Sequence, residues 1–158
     1  MTDEAGVKLL ADAPGVIPIL AAWYKKQWAD WFVETTVEEI ETDLRDVANR
    51  DHLPLGFVAF DSASAPLGVC SIRAHAFDPY PDAGPWLRGL YVHTPYRGQG
   101  VADELLRAAC SHAARLQIPK LFAATHSAVS TFEAAGWLGF DQVLHEGEML
   151  TIFAKRIG

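Results

Sequence analysis

The chain has 158 residues, enough for one domain with a sizeable core, and half of them are hydrophobic against 21% charged, an ordinary globular composition. With 13 Lys and Arg against 20 Asp and Glu, the formal net charge is −7. That charge argues against a nucleic-acid partner, whose phosphates would be repelled, and suits a cationic partner such as an amine.

Gly6 to Asp12 reads as a first strand, closed by Pro14. From Val16 to Trp28 the apolar residues follow helical spacing. A second helix is expected from Thr36 to about Arg50, because Thr36 with Glu39 forms a capping-box pattern and Val37, Ile40, Leu44 and Val47 supply a buried stripe. The period then changes. "LPLGFVAFD" and "PLGVCSIRAHAF" read as two strands joined at Ser62 to Ala65, and a loop rich in proline and aspartate, Asp78 to Pro85, leads into a fourth strand, "WLRGLYV". A helix from about Val101 to Leu116 follows, with Val101, Leu105, Leu106, Ala109, Ala113 and Leu116 in register. "KLFAAT" is a fifth strand, Ser127 to Ala135 a short helix, and "FDQVLHEGEMLTIFAKRI" two strands around Glu146-Gly147-Glu148. The order is β-α-α-β-β-β-α-β-α-β-β. With no repeat or linker to divide it, the whole chain, 1–158, is expected to be a single mixed α/β domain of the α+β kind, with an antiparallel centre.

Two cysteines, Cys70 and Cys110, form no Cys-x-x-Cys pair and fit a reducing compartment. No charged-then-apolar leader opens the chain and no apolar run approaches the ~18 residues of a membrane helix. The expectation is a cytoplasmic, soluble protein with no membrane partner. No His, Cys and Asp cluster has metal-ligand spacing, so no metal is expected. Without a Gly-x-Ser-x-Gly elbow, a serine nucleophile has no support.

Arg97-Gly98-Gln99-Gly100 lies between a strand and an amphipathic helix. A plain turn with a solvated arginine is one explanation. The other is an anion site, since exposed amides and the positive end of a helix favour negative charge, and glycines let the backbone approach a phosphate. A P-loop would require Lys-Ser/Thr after Gly100, and a dinucleotide fingerprint a third small residue where Asp103 stands. Neither fits.

Arg97-Gly98-Gln99-Gly100-Val101-Ala102, within "LYVHTPYRGQG", resembles the Arg/Gln-x-x-Gly-x-Gly/Ala signature of the GNAT superfamily of acyl-CoA-dependent N-acyltransferases. The element order matches that fold over nearly the whole chain, with the specific part from Trp86 to about Phe140. The resemblance implies a mixed, mostly antiparallel sheet of about seven strands flanked by helices. It also implies acetyl-CoA as co-substrate and transfer of its acetyl group to a primary amine. In such proteins the CoA pyrophosphate lies on the loop amides, which assigns that role to Gly98, Gln99, Gly100, Val101, Ala102 and Asp103, with Arg97 as loop positioner or charge partner. The pantetheine arm pairs with the fourth strand where it splays from the fifth, implying main-chain contacts from Leu90, Tyr91 and Val92. One amide there would stabilise the developing oxyanion.

A second family signature, Asn…Tyr-Glu-x-x-Gly-Phe, is matched by Phe132-Glu133-Ala134-Ala135-Gly136-Trp137 with two departures. Phe132 replaces a tyrosine that can protonate the departing thiolate, leaving pantetheine packing as its expected role. Thr125 falls where an asparagine often contacts the cofactor. A thiol with a pKa of roughly 8.5 is a fair leaving group without that acid.

The acceptor half is less legible. Aminolysis needs a neutral amine, yet neither "WLRGLYV" nor "LFAAT" carries the Asp or Glu that relatives often place there. His126, beyond the fifth strand, and Asp82, in the loop before the fourth, are the candidate catalytic residues, with Asp78 and His75 beside them. His93 reads as solvent-facing. Trp31, Tyr80 and Trp86 are candidates for the acceptor pocket, with Trp28 and Phe32 near them. The acceptor is a small-molecule amine or a peptide or protein N-terminus, and a homodimer is compatible with the family. A module that binds acyl-CoA without turnover is the alternative.

Overall fold

The computed structural model describes residues 6–29, 33–74 and 79–157. The unbroken apolar run of the second strand is explained by cover on both faces. β2 (Leu55–Phe60) is buried at every position. It lies between β1 (Gly6–Leu9) and β3 (Pro66–Arg73), antiparallel to each. Beyond them come β4 (Trp86–Val92), β5 (Lys120–Thr125), β6 (Leu138–His145) and β7 (Glu148–Arg156). The seven strands form one sheet in the order β1-β2-β3-β4-β5-β7-β6, with β4 and β5 as its parallel pair.

Strand alternation sorts the side chains into two cores. Leu55, Phe57 and Ala59 of β2 and Cys70 and Ile72 of β3 pack on α3 (Val101–Arg115) through Leu105, Leu106, Ala109 and Ala113. Val58, Phe60 and Val69 point the other way, onto α1 (Ile17–Gln27) and α2 (Val37–Asp46). Each large apolar side chain so covered contributes about 1.5–3 kcal/mol. A short α4 (Val129–Ala134) joins β5 to β6 and adds Phe132 to the α3 side.

The helix starts follow local chemistry. Pro18 sits in the first turn of α1, where its missing N–H has no intrahelical acceptor to lose. Thr36 Oγ1 accepts from the Glu39 amide and Glu39 Oε1 from the Thr36 amide, both at 3.1 Å, completing the expected capping box. Two boundaries are shorter than the sequence suggests. The first strand stops at Leu9, because Leu10 turns into the α1–α2 core through a short 3-10 turn, Leu10–Asp12. α2 stops at Asp46, where the Asn49 side-chain Nδ2 donates to the carbonyls of Asp46 and Pro54.

Candidate functional site

The strand β4 breaks its own alternation. Leu87, Leu90 and Val92 pack on the α3 side while Tyr91 enters the α1–α2 core. An unbroken strand would put residues 87 and 91 on one face. The cause is a bulge: Val69 pairs with Tyr91 and Ser71 with Arg88, so Gly89 and Leu90 together oppose Cys70. Gly89 takes φ +64°, and a Cβ there would lie 2.7 Å from Tyr24 Oη. Tyr24 holds the bulge from α1 by donating its hydroxyl to the Gly89 carbonyl at 2.7 Å. Burial pushes the Tyr24 phenol well above its usual range, so it remains a donor.

On its other edge β4 pairs with β5 only at Trp86 and Phe122, where the Phe122 amide donates to the Pro85 carbonyl at 3.0 Å. Past that point the strands diverge. The His93 amide donates to Leu67 across β3. By alternation the main chain of Tyr91 also turns toward β3, leaving the Leu90 and Val92 main-chain groups on the open edge. The Arg97 guanidinium takes the Val92 carbonyl at 2.7 Å and lies over the Tyr91 ring, 5.3 Å from its centroid.

The mouth of this opening is the Gly-rich loop. Gly98 and Gly100 adopt φ +77° and +84°, and a Cβ at either would meet no heavy atom within 4 Å, so space opens in front of the backbone. Gly100 is the N-cap of α3, and no side chain caps that helix. The first amides of a 15-residue helix are therefore left for an outside acceptor. Asp103 in its first turn is paired with Arg107 at 2.7 Å, which offsets a carboxylate that would otherwise oppose an anion. Gln99 braces the loop on the Pro95 carbonyl. Free amides, glycines that leave room and a positive helix end fit a pyrophosphate, and the open edge beside them fits an extended amide-bearing arm: the donor set suits CoA.

The model of the Acetyltransferase (GNAT) family matches residues 20–137. The chain belongs to that family. GNAT enzymes move an acyl group from acyl-CoA to an amine, and the splayed strands and the loop are the parts that resemblance predicts. Solved structures share the fold. A GNAT-family acetyltransferase from Streptococcus pneumoniae superposes with a TM-score of 0.71 at 18% identity, covering 96% of this chain and 99% of that one. An aminoglycoside 6'-N-acetyltransferase complexed with coenzyme A gives 0.75 at 12% identity, covering 95% and 96%. A ribosomal L7/L12 alpha-N-protein acetyltransferase in complex with coenzyme A gives 0.71 at 17%, covering 96% and 94%. A search of curated proteins finds no match.

Of the remaining expected site residues that the structure describes, Trp86 and Tyr80 come together and the others lie apart. Phe132, expected against the pantetheine, is 2% exposed, stacked on Phe153 and edge-on to Trp137. Its ring surface is consumed by the core, which leaves almost none for a ligand. The Thr125 hydroxyl accepts from the Ala128 amide and closes the turn into α4. Trp86 is buried, donates its indole N–H to the Ala83 carbonyl, and forms an aromatic wall with Phe122, Tyr80 and Phe140. The Tyr80 hydroxyl donates to Asp141. His126 is exposed, with Nδ1 3.3 Å from the Met149 carbonyl and Nε2 3.8 Å from Glu148. Asp82 is exposed in its loop. Trp31, Phe32, His75 and Asp78 lie outside the described residues.

His93 departs from its reading as solvent-facing. It is half-buried, stacked on Trp23 at 4.7 Å, because the bulge carries it toward α1 along with Tyr91. Trp28 closes the α1 end on Tyr24 and Tyr91. Both thiols are pushed up by burial, which keeps them protonated and poor nucleophiles. Among the described residues no three potential metal-ligating side chains converge, and no helix is long and apolar enough to cross a membrane. Sequence reasoning missed Tyr24 and the bulge. Gly89 inside a strand pattern was the available signal.

Proposed function

We propose that the protein is an N-acetyltransferase that moves an acetyl group from acetyl-CoA to a primary amine by direct attack on the thioester. The observation that carries this is the open edge of β4 at Leu90 and Val92, continuous with the uncapped amides at the start of α3. In this reading the amides from Gly98 to Asp103 hold the pyrophosphate, while Arg97 braces the loop through the Val92 carbonyl. Leu90 and Val92 receive the pantetheine as an added strand, and the Leu90 amide, turned outward by the bulge, donates to the thioester oxygen as it gains charge. Tyr91 serves through its ring, under Arg97, more than through its main chain. Thr125 ends the facing strand.

The amine acceptor approaches from the sheet face that bears Trp86 and Tyr80, with Asp82 and His126 at its margins; Trp31, the other expected pocket residue, lies outside the described residues. The relatives' acceptors include an aminoglycoside and a protein α-amine, which supports an amine and leaves its class to this chain's own residues. Buried Cys70 and half-buried Cys110, both with thiols pushed up by desolvation, favour attack without an acyl-enzyme intermediate. A second reading, an acyl-CoA-binding module without turnover, draws on the phenylalanine at position 132. The test is thiol release from acetyl-CoA in the presence of a broad amine panel. Amine-dependent release supports the transferase, whereas acetyl-CoA binding with no release supports the module.

A further inference from the structure

On the sheet face that carries Trp86, two arginines stand side by side. Ser71 pairs with Arg88 and Arg73 with Trp86, so Arg73 and Arg88 are diagonal neighbours on adjacent strands. At that spacing, roughly 7–8 Å between backbones, long side chains reach one another. Their parity is set by their neighbours: Cys70, Ile72 and Leu87 pack toward α3, so Ser71, Arg73 and Arg88 point the opposite way. Arg73 donates to the Asp43 carbonyl in α2. The Arg88 guanidinium has no hydrogen-bond or ion-pair partner among the described residues, while its carbonyl accepts from the Ser71 hydroxyl. It is open to solvent, yet surrounding protein and the Arg73 charge both push its pKa down. Tyr24, whose hydroxyl holds the bulge, is among the groups that feel the Arg88 charge.

Two like charges at this distance, neither with a counter-ion among the described residues, oppose each other in the free protein. An oxyanion between them removes that repulsion and satisfies the guanidinium fork with paired hydrogen bonds. We propose that the acceptor is an amine that also carries an anionic oxygen group, a carboxylate or a phosphate, and that Arg88, backed by Arg73, binds that group while the amine faces the β4 bulge. This rests on the acetyl-transfer reading and names the substrate class of the same site. The net charge of −7, which suits a cationic partner, does not describe this face.

The experiment is titration of matched pairs into protein loaded with CoA, so that no turnover intervenes. The pairs are common amino acids against their amides, and O-phosphoethanolamine against ethanolamine. The anionic members should bind about ten- to a hundredfold more tightly than their neutral partners, as charged hydrogen bonds permit. Arg88→Gln should abolish that preference while leaving CoA affinity and thermal stability undiminished, and Arg88→Lys should keep part of it. Preference in the amino-acid pairs alone assigns a carboxylate, and in the phosphate pair alone a phosphate. Equal binding of acids and amides, a preference that survives Arg88→Gln, or no binding of any member to CoA-loaded protein overturns this proposal and leaves the transferase reading standing. Failure to bind CoA in the loading step overturns both.

Discussion

The Tyr24 hydroxyl donates to the Gly89 carbonyl at 2.7 Å, and with that bond α1 holds the bulge that turns the Leu90 amide to the open edge of β4. Tyr24→Phe leaves a part-buried carbonyl without its donor and should cost about 1–3 kcal/mol of stability. If the bulge aims the oxyanion donor, kcat should fall about tenfold through misalignment. Urea unfolding and steady-state kinetics read the two effects separately. Gly89→Ala should also destabilise, since φ is +64° and the new Cβ meets Tyr24 Oη at 2.7 Å. In a double-mutant cycle the two losses should be less than additive, because Tyr24→Phe removes the atom the Cβ meets.

The loop glycines should separate folding from binding. Gly98→Ala and Gly100→Ala meet no protein atom, so the cost to stability is the positive φ alone, about 1–2 kcal/mol. The added methyl would project into the space assigned to the pyrophosphate. Calorimetry should show CoA affinity falling at least about tenfold, as expected when a charged hydrogen bond is lost. Affinity unchanged in both variants would separate the loop from the cofactor.

Much of this frame was legible locally. Thr36 and Glu39 announced their helix by a pattern that spans one turn, and "WLRGLYV" and "KLFAAT" match β4 and β5 end to end. The bulge was not, because its anchor lies 65 residues away on α1 and only the folded sheet brings the two together. Arg88 likewise reads as an ordinary strand charge until pairing places Arg73 diagonal to it. Phe132 shows the opposite case. A motif position carries no information about burial, and the core took the ring.

Phe132 should therefore act through stability. Phe132→Ala removes a ring packed on Phe153 and Trp137 and should cost about 3–5 kcal/mol. At a temperature where the variant stays folded, its KM for acetyl-CoA should match that of the parent. A KM raised severalfold would restore the ring to the cofactor site.

His112 makes stability depend on pH. Its pKa lies below the usual 6.5, first because burial disfavours the cation and then because Arg115 stands beside it, with Arg115 Nε 3.2 Å from Nδ1. The unfolded chain therefore binds this proton more readily than the folded one. Stability contributed by the neutral ring is fully present above the unfolded pKa and is lost as pH falls through 6.5 toward the folded value. The urea midpoint should decline on acidification in this window, and less steeply in His112→Gln. Parallel declines would contradict the assignment.

The central claim is that the opening between β4 and β5 delivers an acetyl group to an amine. It is tested most directly by following isotopically labelled acetyl from acetyl-CoA to amines by mass spectrometry, with Gly100→Val as the control. The account predicts labelled N-acetyl product that depends on both amine and protein and is lost in a Gly100→Val variant that still folds. Saturation with acetyl-CoA and no labelled product from any amine would contradict it.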